Sequence, residues 1–235
     1  MAASYLFQAT EAGLAAFVFT NASPAMPVWG GSAPFLGTSP FAFGAPGGEC
    51  APPVVLDMAT SVVARGKIRR AMQKGEPIPE GWALDADGKP TTDAKRAYDG
   101  LILPLGGPKG SGLSLMMEIL AGVMSGAAFG GNVRNQYFDF EAPQDVGHCF
   151  VALRPDLFLP PAAYGARMDD LVGRAKASPR VDENQAILMP GEPEARLEAA
   201  HRRDGIPLSA EDLAGLAEEA RRAGLELPAF LPPAA

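Results

Sequence analysis

The sequence predicts an α/β (α+β) fold, and three observations carry that prediction. Leu14–Thr20 (LAAFVFT) is a short apolar run bounded by polar Asn21 and by Pro24, which reads as a buried strand. Val54–Leu56 is a second extended run, and it leads at Asp57 straight into a helical pattern, the strand-then-helix grammar of layered α/β proteins. Leu113, Met116, Met117, Leu120 and Met124 recur at helical spacing while Leu115, Ile119 and Val123 fill another face, so the third segment predicts a helix buried on most sides.

Taken in order, Ala2–Ala12 reads as a helix closed by Gly13. From Pro24 to Pro53 the chain is dense in Pro, Gly and Ser and predicts ordered loop with a short extended piece at Phe41–Phe43. Asp57–Gly75 reads as a helix with Asp57, Thr60 or Ser61 as its N-cap, with Lys67, Arg69, Arg70 and Lys74 toward its end, and with Gly75 as its stop. Ile78–Gly100 predicts a long surface excursion with a tight turn at Asp87 and Gly88, and Leu101–Leu105 another short extended segment. Glu118, the one acid inside the apolar helix, is expected to be paired or edge-facing rather than catalytic, because a buried charge needs a partner. His148–Arg154 reads as a strand, Ala166–Ala177 as a helix and Gln185–Met189 as a last strand. Two helices follow, Pro193–Arg203 and Ser209–Ala223, and then an extended proline-bearing tail, Leu225–Ala235.

With 235 residues, 47% of them hydrophobic, the chain can bury a sizeable core. Its net charge of −7 repels phosphate backbones and anionic lipid, which argues against nucleic-acid and membrane partners. Cys50 and Cys149 have no metal-ligand spacing and form no disulfide framework, so a reducing, cytoplasmic setting and no metal site are expected. No signal peptide or membrane span is read near the front, where Leu14–Phe19 is the longest apolar run.

The densest cluster of glycines is Leu105–Gly112, LGGPKGSG. A Walker phosphate loop needs its lysine after a glycine and before a hydroxyl residue, whereas Pro108 precedes Lys109 and Gly110 follows it. The dinucleotide fingerprint of Rossmann folds fails too, because Leu115 stands where its third glycine belongs. Two readings remain: an anion site built from helix N-terminal amides and Lys109, or a tight strand-to-helix turn with a solvated lysine.

Six segments, in order, resemble one family. They are TNASP (Thr20–Pro24), LGTSPFAFGAPG (Leu36–Gly47), VVLDMATSVVARGKI (Val54–Ile68), IPEGWALDADGKPTTD (Ile78–Asp93), ILPLGGPKGSGLSLMMEILAGVMSGAAFG (Ile102–Gly130) and MPGEPEARLEAAHRRDGIPL (Met189–Leu208). Together they resemble the malate/L-lactate dehydrogenase-like oxidoreductases, which use NAD or NADP without a Rossmann fold. The resemblance implies a mixed sheet, buried helices and C-terminal helices of an incomplete helical subdomain. It implies a main cofactor-binding domain over residues 1–165 with a helical region, 166–235, packing back on it. It also implies hydride transfer between a nicotinamide and a small 2-oxo or 2-hydroxy acid, and a homodimer.

Carried over by position, the resemblance puts cofactor contacts at Asp57, Met58, Ala59, Thr60 and Ser61, at Pro108, Lys109 and Gly110, and at Gly191, Glu192 and Pro193. For each, helix capping is the competing reading. Thr38 and Ser39 fall in the family's GTNP segment, a substrate contact, although Ser39 replaces its asparagine and with it an amide's paired donor and acceptor. Asp57 is a further candidate for orienting the reacting centre. The family's Ser-His-Gly and Asn-His segments, the first of which carries its usual proton donor, have no match in these 235 residues, so no catalytic residue is assigned. His148 and His201 match neither motif and are expected in structural or solvent roles. The chain is therefore expected to be an N-terminally truncated member with impaired activity, its helices from Ala166 onward exposing apolar surface. The alternative is a noncatalytic remnant that binds a dinucleotide or a partner chain.

Overall fold

The computed structural model describes residues 2–225. Helix α1 (Ala3–Glu11) ends at Gly13 in a left-handed conformation, which turns the chain back into β1 (Ala15–Thr20). The short strands β2 (Pro24–Met26) and β3 (Leu36–Gly37) pair with one another, and β4 (Phe41–Ala45) and β5 (Val54–Met58) follow. The main sheet has the order β5-β4-β1-β9, where β9 (His148–Leu153) returns much later to the free edge of β1. Among the described residues every strand pairing is antiparallel, so the sheet expected to mix directions does not. Helix α1 covers one face of this sheet, with Leu6 fully buried among Ala16, Val18, Ala42 and Val55.

A second core lies under Met26, Leu36, Ile68, Ile78, Ala83 and Ile102. It is built by β2 and β3, by helix α2 (Arg65–Lys74), by the strand β6 (Ala83–Leu84), with β7 (Pro90–Thr91) paired along its edge, by β8 (Leu101–Ile102), and by helix α3 (Ala94–Asp99). Ile78–Gly100 is thus no surface excursion. Ile78, Ala83, Ala94 and Ala97 are buried and Trp82, Leu84 and Tyr98 half-buried, and only the turn at Asp87 and Gly88 is as expected. Asp85 makes that turn: its carboxylate accepts the Asp87 and Lys89 amides at 3.0 and 2.9 Å and pairs with Arg96 of α3.

Two boundaries move. The helix expected from Asp57 begins only at Arg65, because residues 57–58 belong to β5 and the three candidate N-caps are engaged elsewhere. It does end at a left-handed Gly75 as expected. Gln185–Met189 forms no strand, and the chain there runs on to Pro190, whose carbonyl accepts the Val55 amide at 3.1 Å.

Helix α4 (Pro108–Met117) continues as a π-helical turn, Glu118–Val123. One face is buried through Gly110, Ser111, Ser114, Met117, Glu118 and Ala121, whereas Leu115, Met116, Ile119, Val123 and Met124 are exposed. The expectation of a helix buried on most sides is corrected: apart from Met117, the buried stripe is made of small and polar side chains that let other backbones approach, and most of the large apolar ones point outward. Helix α5 (Pro161–Lys176) begins earlier than expected, at a proline suited to the first helical position. Two points hold it to the β4–β5 connection: the Tyr164 hydroxyl donates to the Pro46 carbonyl at 2.9 Å, and the Asp169 carboxylate accepts the Glu49, Cys50 and Ala51 amides at 3.1, 3.1 and 2.7 Å.

The described chain divides into two compact units after Pro190, not at residue 165, because α5 belongs with the first. The second unit holds α6 (Glu192–Asp204), opened by a left-handed Gly191, and α7 (Ala210–Arg222), opened by a capping box in which Ser209 and Asp212 exchange bonds. Neither helix has a buried residue, and Leu197 and Leu216 are exposed. The tail read as extended lies outside the described residues from Glu226 onward. Among the described residues no helix is long and apolar enough to cross a membrane.

Candidate functional site

Thr60 is the point where three of the candidate segments meet. Its amide donates to the Thr38 carbonyl at 2.9 Å and its hydroxyl to the same oxygen at 3.1 Å. Its own carbonyl accepts the Leu105 amide at 2.9 Å, Ser61 forms a bridge with Pro104, and the Val62 amide donates to the Leu103 carbonyl at 2.9 Å. Residues 60–62 therefore run as an extended crossing between the Thr38 segment and the glycine turn. Thr60 is fully buried and the Ser61 hydroxyl donates inward to the Val63 carbonyl at 2.8 Å, so both side chains fix the crossing. The helix N-terminal amides expected over Asp57–Ser61 are absent, since α2 starts at Arg65 after an uncapped Ala64. Asp57 does act as a cap, but for a different helix: its carboxylate accepts the Ala3 amide of α1 at 2.9 Å. Met58 and Ala59 are half-buried between these two anchor points.

The glycine turn supplies the helix N-terminus that the first segment lacks. Gly106 and Gly107 both have positive φ, 59° and 64°, which reverses the chain in two residues and brings Pro108 to the first position of α4. Gly110 lies flat against the crossing, where a Cβ would stand 2.8 Å from the Thr60 oxygen and clash with Leu105 as well. The Gly110 and Ser111 amides are taken by the Leu105 and Gly107 carbonyls at 2.8 and 3.2 Å. The Gly106 and Lys109 amides have no acceptor among the described residues, and no side chain caps the helix. Pro108 and Lys109 are exposed, and among the described residues the lysine ammonium has no carboxylate in range. An uncapped helix start with a free cation beside it suits an anionic group.

The Thr38 segment is held from below. The Ser114 hydroxyl of α4 donates to the Gly37 carbonyl at 3.0 Å. Ser39 is fully buried with φ at 25°, a region in which asparagine is more at ease than serine, and its hydroxyl lies 3.4 Å from a Glu118 carboxylate oxygen. The other Glu118 oxygen accepts the Gly130 amide at 3.0 Å. Glu118 is thus paired, as expected, but buried rather than at an edge. It opens the π-helical turn, a local widening that recurs at functional sites.

Gly191, Glu192 and Pro193 open α6 in the second unit, with Gly191 as an N-cap at φ 92°. His148 lies at the start of edge strand β9 opposite Thr20, and His201 lies in the last turn of α6. Neither is among the residues of the crossing. Sequence reasoning missed the cavity of about 490 Å³ that adjoins Thr38 and is lined by Arg65, Arg69 and Tyr98. In the sequence Arg69 reads only as a charge near a helix end, and no signal there places Tyr98 at the same cavity. It also missed Asn21, whose side chain accepts the Gly147 amide at 2.9 Å and donates to the Ala128 carbonyl at 2.7 Å, anchoring both ends of the 128–147 loop. A separate cavity of about 630 Å³ beside Tyr164 and Asp169 is lined by none of the candidate residues.

The family model described as Malate/L-lactate dehydrogenase matches residues 1–217 of the chain. The chain is 41% identical over 208 residues to the L-sulfolactate dehydrogenase of Methanothermobacter thermautotrophicus, covering 86% of this chain and 58% of that protein. It is 36% identical over 234 residues to the malate dehydrogenase of Pyrococcus abyssi, covering 96% of this chain and 63% of that protein. The solved structure of sulfolactate dehydrogenase from Methanocaldococcus jannaschii superposes with a TM-score of 0.82 at 36% identity, over 96% of this chain and 64% of that one. The chain thus spans less than two thirds of the length of these relatives.

Proposed function

Because this chain belongs to the malate/L-lactate dehydrogenase family, whose non-Rossmann α/β fold it shares, we propose that it serves hydride transfer between NAD or NADP and a small 2-hydroxy or 2-oxo acid. The observation that carries this reading is the Thr60 crossing, which joins the Thr38 segment to the glycine turn through backbone bonds on both sides. Lys109, with the Gly106 and Lys109 amides, holds a phosphate of the dinucleotide, and Pro108 and Gly110 shape the turn that presents them. Asp57, Met58 and Ala59 form the wall of the same site, which the buried Thr60 and Ser61 fix from behind, and Gly191, Glu192 and Pro193 offer a helix start of their own in the second unit. Thr38 meets the reacting acid, and the fully buried Ser39, bonded to Glu118, fixes the backbone beside it. The proposed contacts of the crossing and the glycine turn all lie in residues 1–165. When bound, the dinucleotide supplies or accepts the hydride.

Reducing a ketone also needs a proton at the developing alkoxide. Neither histidine of these 235 residues lies at the crossing, so the donor is assigned to none of them. We further propose a homodimer in a reducing, cytoplasmic setting, which both free cysteines suit and for which the exposed apolar face of α4 offers a contact surface.

Fluorescence titration of NADH and NADPH against the chain tests the reading. At least one is expected to bind, and Lys109→Gln is expected to weaken it about tenfold, the effect of losing one charge-assisted contact to a phosphate. Added pyruvate is expected to give little oxidation of the bound cofactor. Binding that ignores Lys109→Gln would remove the glycine turn from the site.

A further inference from the structure

We infer that the cavity beside Thr38 is a cationic pocket for an anionic group of the ligand, with Arg65 and Arg69 as its recognising residues. The cavity holds about 490 Å³, room for a phosphate or carboxylate together with part of the molecule that bears it. Two guanidinium groups line it, and among the described residues that line it none is acidic, in a chain whose net charge is −7. That local reversal of sign is what an anion requires.

The two arginines are not equivalent. Arg65 donates from Nη2 to the Tyr98 carbonyl at 2.8 Å, and its guanidinium lies 5.3 Å from the centre of the Tyr98 ring. These contacts tie α2 to α3 and hold the guanidinium in one orientation, so little rotamer freedom is lost when an anion binds. Arg69, one turn further along α2, has no carboxylate in ion-pair range among the described residues and reaches the cavity with its donors free. Ser23 and Gln136 also line the cavity, and their side chains, 3.4 Å apart, add neutral hydrogen-bonding groups. The arrangement is one fixed and one adjustable guanidinium over an aromatic floor, which matches the planar or tetrahedral oxygens of carboxylate, sulfonate or phosphate.

Thr38 lines the cavity and also receives the Thr60 amide, so a ligand lying along the crossing extends into the pocket. The inference rests on the dehydrogenase reading for the kind of molecule involved, and it allows two sources for the anion: a phosphate on the ribose of the cofactor, or a second acid group on the substrate. Calorimetric titration separates them, with 2′-AMP, 5′-AMP and malonate as probes against the unaltered chain, Arg69→Gln and Lys109→Gln. Arg69 is exposed, so its replacement leaves the fold intact, which a thermal melt checks.

At least one probe is expected to bind, about tenfold more weakly to Arg69→Gln and equally well to Lys109→Gln. If 2′-AMP but not 5′-AMP responds to Arg69→Gln, the pocket reads a ribose phosphate; if malonate responds, it reads a second acid group of the substrate. Either result supports the pocket. Absence of binding by all three probes, or affinities unchanged by Arg69→Gln, overturns it. The dehydrogenase reading survives that outcome, because its own test depends on Lys109.

Discussion

Gly110 admits no side chain, and the reason lies in the Thr60 crossing rather than in helix propensity. A methyl group there would press on the Thr60 oxygen at 2.8 Å and on the Leu105 backbone, none of which can move without breaking the bonds that join the segments. Gly110→Ala is expected to cost about 1–3 kcal/mol, the range for overpacking a tight contact, read as a lower urea midpoint at unchanged slope. An unchanged midpoint would show that the turn and the crossing are not in close contact. Lys109 and its glycines were legible in the sequence because a cation among residues of open backbone is a local pattern. The contact of Gly110 with Thr60 was not, since Thr60 lies fifty positions upstream. Ser39 shows the same limit: the replacement of asparagine was visible as a lost amide, but the positive φ it must adopt was not.

At the scale of elements, periodicity found β1, β5, β9, α1, α6 and α7 within a few residues. It failed where side chains with local capping ability serve distant partners. Asp57, Thr60 and Ser61 each look like the start of α2, yet they bind α1, the Thr38 segment and the Val63 carbonyl. The β6–β7 hairpin reads as surface in the sequence because its polar turn dominates the composition, while Ala83 and Ile78 are buried beside it.

Asp85 gives this hairpin a pH dependence. Its Lys89 amide bond first, then the Asp87 amide and the Arg96 charge, hold its carboxyl below the usual carboxylate range. A depressed folded pKa means a contribution to stability that is present above the unfolded value and lost as pH falls through the folded one. Lowering pH from 5 toward 2 should therefore destabilise the unaltered chain more than Asp85→Asn, followed by urea midpoints at each pH. Equal acid sensitivity in both would show that the Asp85 turn does not hold the hairpin.

For the whole molecule, two cores share one chain up to Pro190, and the Thr60 crossing, together with Ser114 and Glu118 of the α4 segment, joins their neighbouring strands at the candidate site. The order of six family-like segments made the fold class readable before any geometry, and the superposition with a solved relative agrees with it. The division after Pro190 was not readable, because it depends on α5 being tied to the β4–β5 connection by Asp169 and Tyr164. The antiparallel order of the main sheet was hidden for a similar reason: β9 reaches β1 from more than a hundred residues away. The most direct test of the central claim is amide shift mapping by NMR of the isotope-labelled chain during titration with NADH or NADPH. The account predicts the largest shifts at Thr38, Thr60, Gly106, Lys109 and Gly110; shifts confined to other surfaces, such as the cavity beside Tyr164 and Asp169, would contradict it.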